Sequence, residues 1–198
     1  RIKITYIKEI EAGLPIVPVY QQSAFVTKFV SGPAGNFGES IKIPPTINSN
    51  SKACTTENML SCGVEKPEPG NFNPFQDQYG REFTGHWKFN PGKEILVTNV
   101  SKMLNIKHIK KAYYISVHVH PFCKSLSLYD ATTNDTILKA NVKSFTNKIG
   151  LENIEQFTFE NGLTFYPNHK YQLVSYYDNP TQDIHTAMAT MFLYMDEN

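Results

Sequence analysis

Apolar and polar residues alternate along most of this chain with a period of two, the pattern of strands that bury one face. Residues 1–10 (RIKITYIKEI) place Ile2, Ile4 and Tyr6 on one side of a pleat, and residues 19–30 form a second candidate strand, entered through Pro15 and Pro18. A short strand over 39–43 is stopped by Pro44-Pro45. Strands over 82–89 and 93–100 flank Asn90-Pro91-Gly92, a turn by composition. The clearest strand is 112–120 (AYYISVHVH), followed by 124–130 and 136–142 on either side of a turn over 131–135. Segments 156–159 and 163–166 surround Asn161-Gly162, a hairpin signal, and 171–177 and 188–195 complete the strands. Helical turns are expected only over 100–107 and 145–154. Many short strands at this spacing predict an all-β chain, a jelly-roll-like antiparallel β-sandwich.

Residues 44–80 break the pattern. They are rich in Asn, Ser, Pro and Gly and read as a long loop, either a plain excursion or an interaction surface. The expected organisation is an N-terminal part, 1–81, of strands and this loop packed on the same sandwich, and a β-sandwich over 82–198.

Composition narrows the function classes. A chain of 198 residues suffices for one core without metals or disulfides. Aromatic residues at 13% and a net charge of +1 argue against disorder, and so small a charge offers no field for nucleic acid. No apolar run is long enough to span a bilayer. Cys54 and Cys62 lie in the polar loop, where a short disulfide fits and two free thiols are the alternative; Cys123 is the odd one. The chain begins at Arg1, which leads us to expect a mature form, a proteolytic product or a piece of something longer. Together these lean toward an extracytoplasmic protein, periplasmic or secreted. Asn99-Val100-Ser101 and Asn134-Asp135-Thr136 match glycan acceptors, a frequent chance match. Neither a phosphate-binding glycine loop nor a Gly-x-Ser-x-Gly elbow is present.

The sharpest chemical feature is His118-Val119-His120. Strand alternation points both imidazoles to one face beside Ser116, with Ile115, Val117 and Val119 on the other. Two imidazoles at this spacing can reach one ion, and imidazole suits copper, zinc, iron and nickel, although the spacing alone is a weak signal. A second group, Asp183, His185, Met188 and Met191, follows the turn at Asp178-Asn179-Pro180. Methionines on a strand are usually core filler. Paired with imidazoles, however, a thioether favours Cu(I). His185, three residues before Met188, is a candidate fourth ligand or an idle loop histidine. His86, beside Trp87, reads as a surface or core-edge imidazole with a metal role as the alternative; Cys123, three residues past His120, is a further alternative ligand, since a thiolate binds copper well, although its strand parity differs from the histidines' and Pro121 turns the chain. His108, in a basic run, reads as solvated, and His169 is a turn residue.

The order of segments 113–120 (YYISVHVH), 126–130 (LSLYD), 171–178 (YQLVSYYD) and 187–194 (AMATMFLY) resembles the C-terminal copper domain of the copper type II, ascorbate-dependent monooxygenases. Peptidylglycine α-hydroxylating monooxygenase and dopamine β-monooxygenase are its best-known members. The resemblance covers roughly 82–196. It implies a jelly-roll sandwich holding one copper ion on His118, His120 and Met188, with dioxygen-dependent hydroxylation of a substrate C–H bond. It also implies a second copper, held in the family by three histidines of a separate preceding domain. In this chain the other histidines, His86, His108, His169 and His185, are scattered singly. The electrons are therefore expected from a partner domain or a redox protein. Two further readings stay open at this point: a copper-binding or carrier protein without turnover, and a metal-free structural or interaction subunit of a larger assembly.

Overall fold

The computed structural model describes residues 18–32 and 72–197. The strands expected over 1–10 and 39–43, the Cys54–Cys62 disulfide and most of the 44–80 loop lie outside the described residues.

The described chain is all-β. Thirteen strands run in chain order: β1 (Val19–Phe25), β2 (Lys28–Ser31), β3 (Glu82–Thr84), β4 (Trp87–Phe89), β5 (Gly92–Asn99), β6 (Lys110–Val119), β7 (Cys123–Asp130), β8 (Asp135–Ser144), β9 (Leu151–Ile154), β10 (Phe157–Phe165), β11 (Tyr171–Asn179), β12 (His185–Ala187) and β13 (Ala189–Asp196). One helical turn, α1 (Ser101–Leu104), follows β5. A four-stranded sheet has the order β1-β13-β6-β10 and a five-stranded sheet the order β5-β11-β7-β8-β9. Two small pairs, β12-β4 and β2-β3, complete the set, and all strand pairs are antiparallel. The strand orders establish an all-β, sandwich-like architecture.

The two large sheets share one core. From the four-stranded sheet come Ile115, Ala189, Met191, Leu193 and Met195; from the five-stranded sheet come Leu126, Leu128, Leu173 and Tyr177. The alternation in β13 is strict on this side, with residues 189, 191, 193 and 195 all fully buried. Residues of opposite parity, such as Phe192 and Tyr194, are only partly buried and face outward.

Two sequence expectations change. Segment 145–154 is not helical: β9 pairs with β8, Val142 opposite Ile154, because the sheet edge offers hydrogen bonds that an isolated helical turn lacks. Asn161-Gly162 does not close a hairpin. It sits inside β10, where the register against β6 jumps between Thr158 and Leu163. Gly162 takes φ 71°, and a Cβ there would lie 2.7 Å from the Cβ of Lys111. The glycine thus serves a bulge that presses against β6, where its left-handed backbone and missing Cβ are both needed.

The end of β6 decides where the paired histidines stand. After His120 the chain turns sharply through Pro121 and Phe122 and enters β7 in the other sheet, closed by the Cys123 N–H donating to the His120 carbonyl at 3.3 Å. Pro121 at the second position and a left-handed Phe122 (φ 73°) at the third follow the type II turn pattern. Phe122 is held there by packing on Phe89 and His185 and by its carbonyl accepting from Asp178 N–H at 2.9 Å.

A polar knot fastens the far end of the five-stranded sheet. Asp130 accepts from the backbone N–H of Thr132 (2.9 Å) and lies 2.5 Å from Nδ1 of His169. Burial pushes its carboxyl up, but these hydrogen bonds and the imidazole outweigh it and hold it below the ordinary carboxylate range. A lowered folded-state value contributes stability above the unfolded value of about 3.9, and that contribution is lost as pH falls through the folded value. Asp130→Ala is therefore expected to destabilise the protein by roughly 1–3 kcal/mol at neutral pH. Denaturant melts of the two proteins should converge as pH is lowered below about 4; an unchanged difference at low pH would show that the carboxylate charge contributes nothing.

Candidate metal centre

The site is assembled from three strands meeting at one residue. Between β12 and β13 lies Met188. On the β13 side Ala189 pairs with Val119 and Thr190 with His118, and the His120 N–H donates to the Met188 carbonyl at 3.2 Å. On the β12 side Thr186 pairs with Lys88 and Ala187 with Trp87, and the pairing ends there, with Met188 the residue after β12 and His86 the residue before β4. Alternation then sorts the side chains. Trp87, Phe89, Ala187, Ala189 and Val119 are buried, while His86, His118, His120 and Met188 belong to the opposite, outward parity. Thr190, also of outward parity, is buried beneath them, and its Oγ1 has no hydrogen-bond partner.

The imidazoles form a contiguous group. The rings of His118 and His120 lie 5.7 Å apart at 82°, and those of His86 and His120 lie 5.0 Å apart at 77°. His118 is exposed, and His120, His86 and Met188 are half-buried. The Nδ1 of His120 is 3.3 Å from the carbonyl oxygen of Thr186, which can only accept. The Thr186 hydroxyl also lies 3.4 Å from Nδ1, so Thr186 engages this nitrogen in either tautomer and Nε2 is left to bind elsewhere. Burial lowers the His120 pKa, His86 and His118 add to the lowering, and the Thr186 carbonyl opposes it. A neutral imidazole is the form that ligates a metal.

Tyr177, on β11 of the other sheet, holds this junction in register. Its hydroxyl donates to the Met188 carbonyl at 2.5 Å and accepts from the His120 N–H at 3.3 Å. The ring is fully buried and packs edge-on against Trp87 and Phe89 of β4. Burial of this phenol raises its pKa far above the ordinary tyrosine value, so it stays a donor.

Other sequence candidates lie elsewhere. His185 shares the inward parity of Ala187, its Nε2 is 2.9 Å from Thr181 Oγ1, and its ring stacks on Phe122, so the fold does not bring it to Met188. Met191 is fully buried in the core. Cys123 is turned inward by a bulge at Lys124, where the register moves from Tyr176–Ser125 to Tyr177–Cys123. The thiol is fully buried, and desolvation pushes its pKa up to about 12, which disfavours the thiolate that metals require. His108 is exposed and His169 belongs to the Asp130 knot. A recess of about 230 Å³ beside Phe122 and residues 144–150 contains no histidine. Among the described residues, no group of three or more His, Cys, Asp or Glu side chains is placed so that, as it stands, it could hold a metal ion. Two histidines with a methionine are a different kind of set, because the third donor is a thioether.

His86 is a neighbour of His120 that the sequence did not place there. Its signal was faint: His86 and Lys88 alternate with Trp87 and Phe89 as His118 and His120 alternate with Val119, but the pairing of β4 with β12 is not legible locally.

No family model, curated protein or solved structure matches this chain. No helix among the described residues is long and apolar enough to cross a membrane.

Removing the Tyr177 hydroxyl tests the junction. Tyr177→Phe keeps the ring packing and leaves the Met188 carbonyl with one donor in place of two. The expected loss is about 1–2 kcal/mol in a urea melt, with faster amide exchange at His120 than at the middle of β6. Unchanged exchange at His120 would show that the phenol does not hold the register.

Proposed function

We propose that this protein binds one copper ion through His118, His120 and Met188. The observation that carries the reading is the register across β6 and the β12–β13 segment, which sets Met188 beside His120 with Thr190 opposite His118. Donors from two segments far apart in sequence thereby share one outward face. The donor chemistry fits copper. A thioether favours Cu(I), imidazoles accommodate both oxidation states, and no carboxylate of the kind preferred by magnesium or calcium belongs to the set.

The resemblance to the copper type II monooxygenases supports a role in dioxygen chemistry, in which a bound copper would supply one-electron steps. In that class of reaction one oxygen atom enters a C–H bond and the other leaves as water. Two electrons and two protons come from outside, here from a partner domain or redox protein. The chain's own residues supply orientation and access. The Thr186 carbonyl holds the His120 ring by Nδ1, Tyr177 fixes the backbone beneath it, and the exposure of His118 leaves the face open to an approaching molecule. An extracytoplasmic location, periplasmic or secreted, accords with this chemistry.

Protein prepared without chelators is expected to carry one copper per chain by elemental analysis. His118→Ala combined with His120→Ala should abolish it, and unchanged copper content in that double variant sinks the assignment. Met188→Ala should weaken Cu(I) by about tenfold or more while affecting Cu(II) little, because the thioether serves mainly the soft ion. Ascorbate-driven oxygen uptake by the copper-loaded chain, with a redox partner added, is expected for the oxygenase role. A loaded but inert protein would instead indicate a copper carrier.

A further inference from the structure

We infer that His86 is a further ligand of the same ion, making the centre a set of three imidazoles and one thioether. The inference rests on the copper reading and extends its ligand set. It starts from topology. His120 stands at the end of β6 on one side of Met188, and His86 stands just before β4 on the other. Side chains that flank a residue from opposite neighbouring strands diverge unless something draws them together. Here the two rings instead approach to 5.0 Å and meet nearly at right angles.

The spacing suits a shared ion. With metal–nitrogen bonds of about 2 Å, two imidazoles on one tetrahedral ion place their centroids roughly 4.5–5.5 Å apart. His86 and His120 fall inside that range, and His118 and His120, at 5.7 Å, lie just beyond it. As placed, the three rings do not yet form a metal-binding group, so sharing one ion requires the side chains to move together.

A second observation points the same way. Nε2 of His86 is buried and has no hydrogen-bond partner. A buried ring nitrogen without a partner is unusual, because it has given up water for nothing. The backbone around it is prepared in advance. Thr84 Oγ1 accepts from the His86 N–H at 3.1 Å and donates to the His86 carbonyl at 2.7 Å. Gly85 lets Phe25 and Phe75 pack against this turn: a Cβ there would lie 3.2 Å from the Phe25 ring. Position 86 is thus held from both sides while its outer nitrogen is left unengaged.

The test is X-ray absorption of the full chain loaded with Cu(I), with affinity measured by competition against a chromogenic Cu(I) chelator. Wild type is expected to show three imidazoles and one sulfur in the first shell. His86→Ala is expected to show two imidazoles and an affinity lower by about tenfold or more. His86→Gln, closer in size, serves as a second variant should the alanine protein not fold, and the imidazole count in wild type decides without any variant. His108→Ala, at an exposed position, should leave affinity unchanged. Two imidazoles in wild type, with affinity unaltered by His86→Gln, would overturn the inference and leave the copper reading standing. Folded wild-type protein that takes up no copper would overturn both.

Discussion

Tyr177 belongs to the five-stranded sheet, yet its hydroxyl bonds to two backbone groups of the segments that carry the site. It donates to the carbonyl of Met188 and accepts from the N–H of His120. These two residues already bond to each other, so one phenol closes a three-membered knot at the point where β6 ends and β12 passes into β13. The geometry of every candidate ligand depends on it. A slip of one residue between β6 and β13 would send His118 and His120 into the core and bring Val119 to the surface. Burying two imidazoles without partners is costly, so the hydrophobic alternation and the phenol enforce the same register from two directions.

The surroundings of Tyr177 explain why its hydroxyl can be so placed. Its ring is wedged against Trp87 and Phe89, and such edge-on aromatic pairs contribute about 0.5–1.5 kcal/mol each beyond burial. Trp87 is oriented in turn by its indole N–H donating to Glu94 at 2.6 Å, and Glu94 forms a buried ion pair with Lys28. A buried pair of this kind adds little net stability, because desolvation offsets the attraction. Its effect is on placement. It joins β2, β4 and β5, and β4 is the strand that follows His86.

The chemistry of the face depends on which donors stand beside it and which are kept away. The cluster is made of imidazoles and a thioether, donors that bind without bringing formal negative charge. Such a set selects borderline and soft ions over hard ones and can serve a metal that changes oxidation state. The core-facing sulfur donors are kept apart from this face. Cys123 is sealed as a neutral thiol, and Met191 is surrounded by the hydrophobic core. Among the described residues, Met188, at the gap between β12 and β13, is a methionine on the parity of the histidines.

Local pattern sufficed for much of this. Alternation along 112–120 and 188–195 marked both strands, assigned their faces correctly, and put His118 and His120 on one side and Met188 on the parity opposite Met191. That information is local, because a strand's two faces are written in consecutive residues. Pairing is not local, and here the tertiary structure decided. His185 and Met188 are close in sequence but on opposite faces, whereas His86 is far away in sequence and reaches the cluster because β4 pairs with β12. Asn161-Gly162 shows the same division. The dipeptide specified a left-handed backbone, but whether that became a hairpin or a bulge depended on a neighbouring strand to press against. The sequence by itself determined which residues face outward. Which outward residues meet was decided by strand order, and strand order is set by the packing of distant apolar faces into one core.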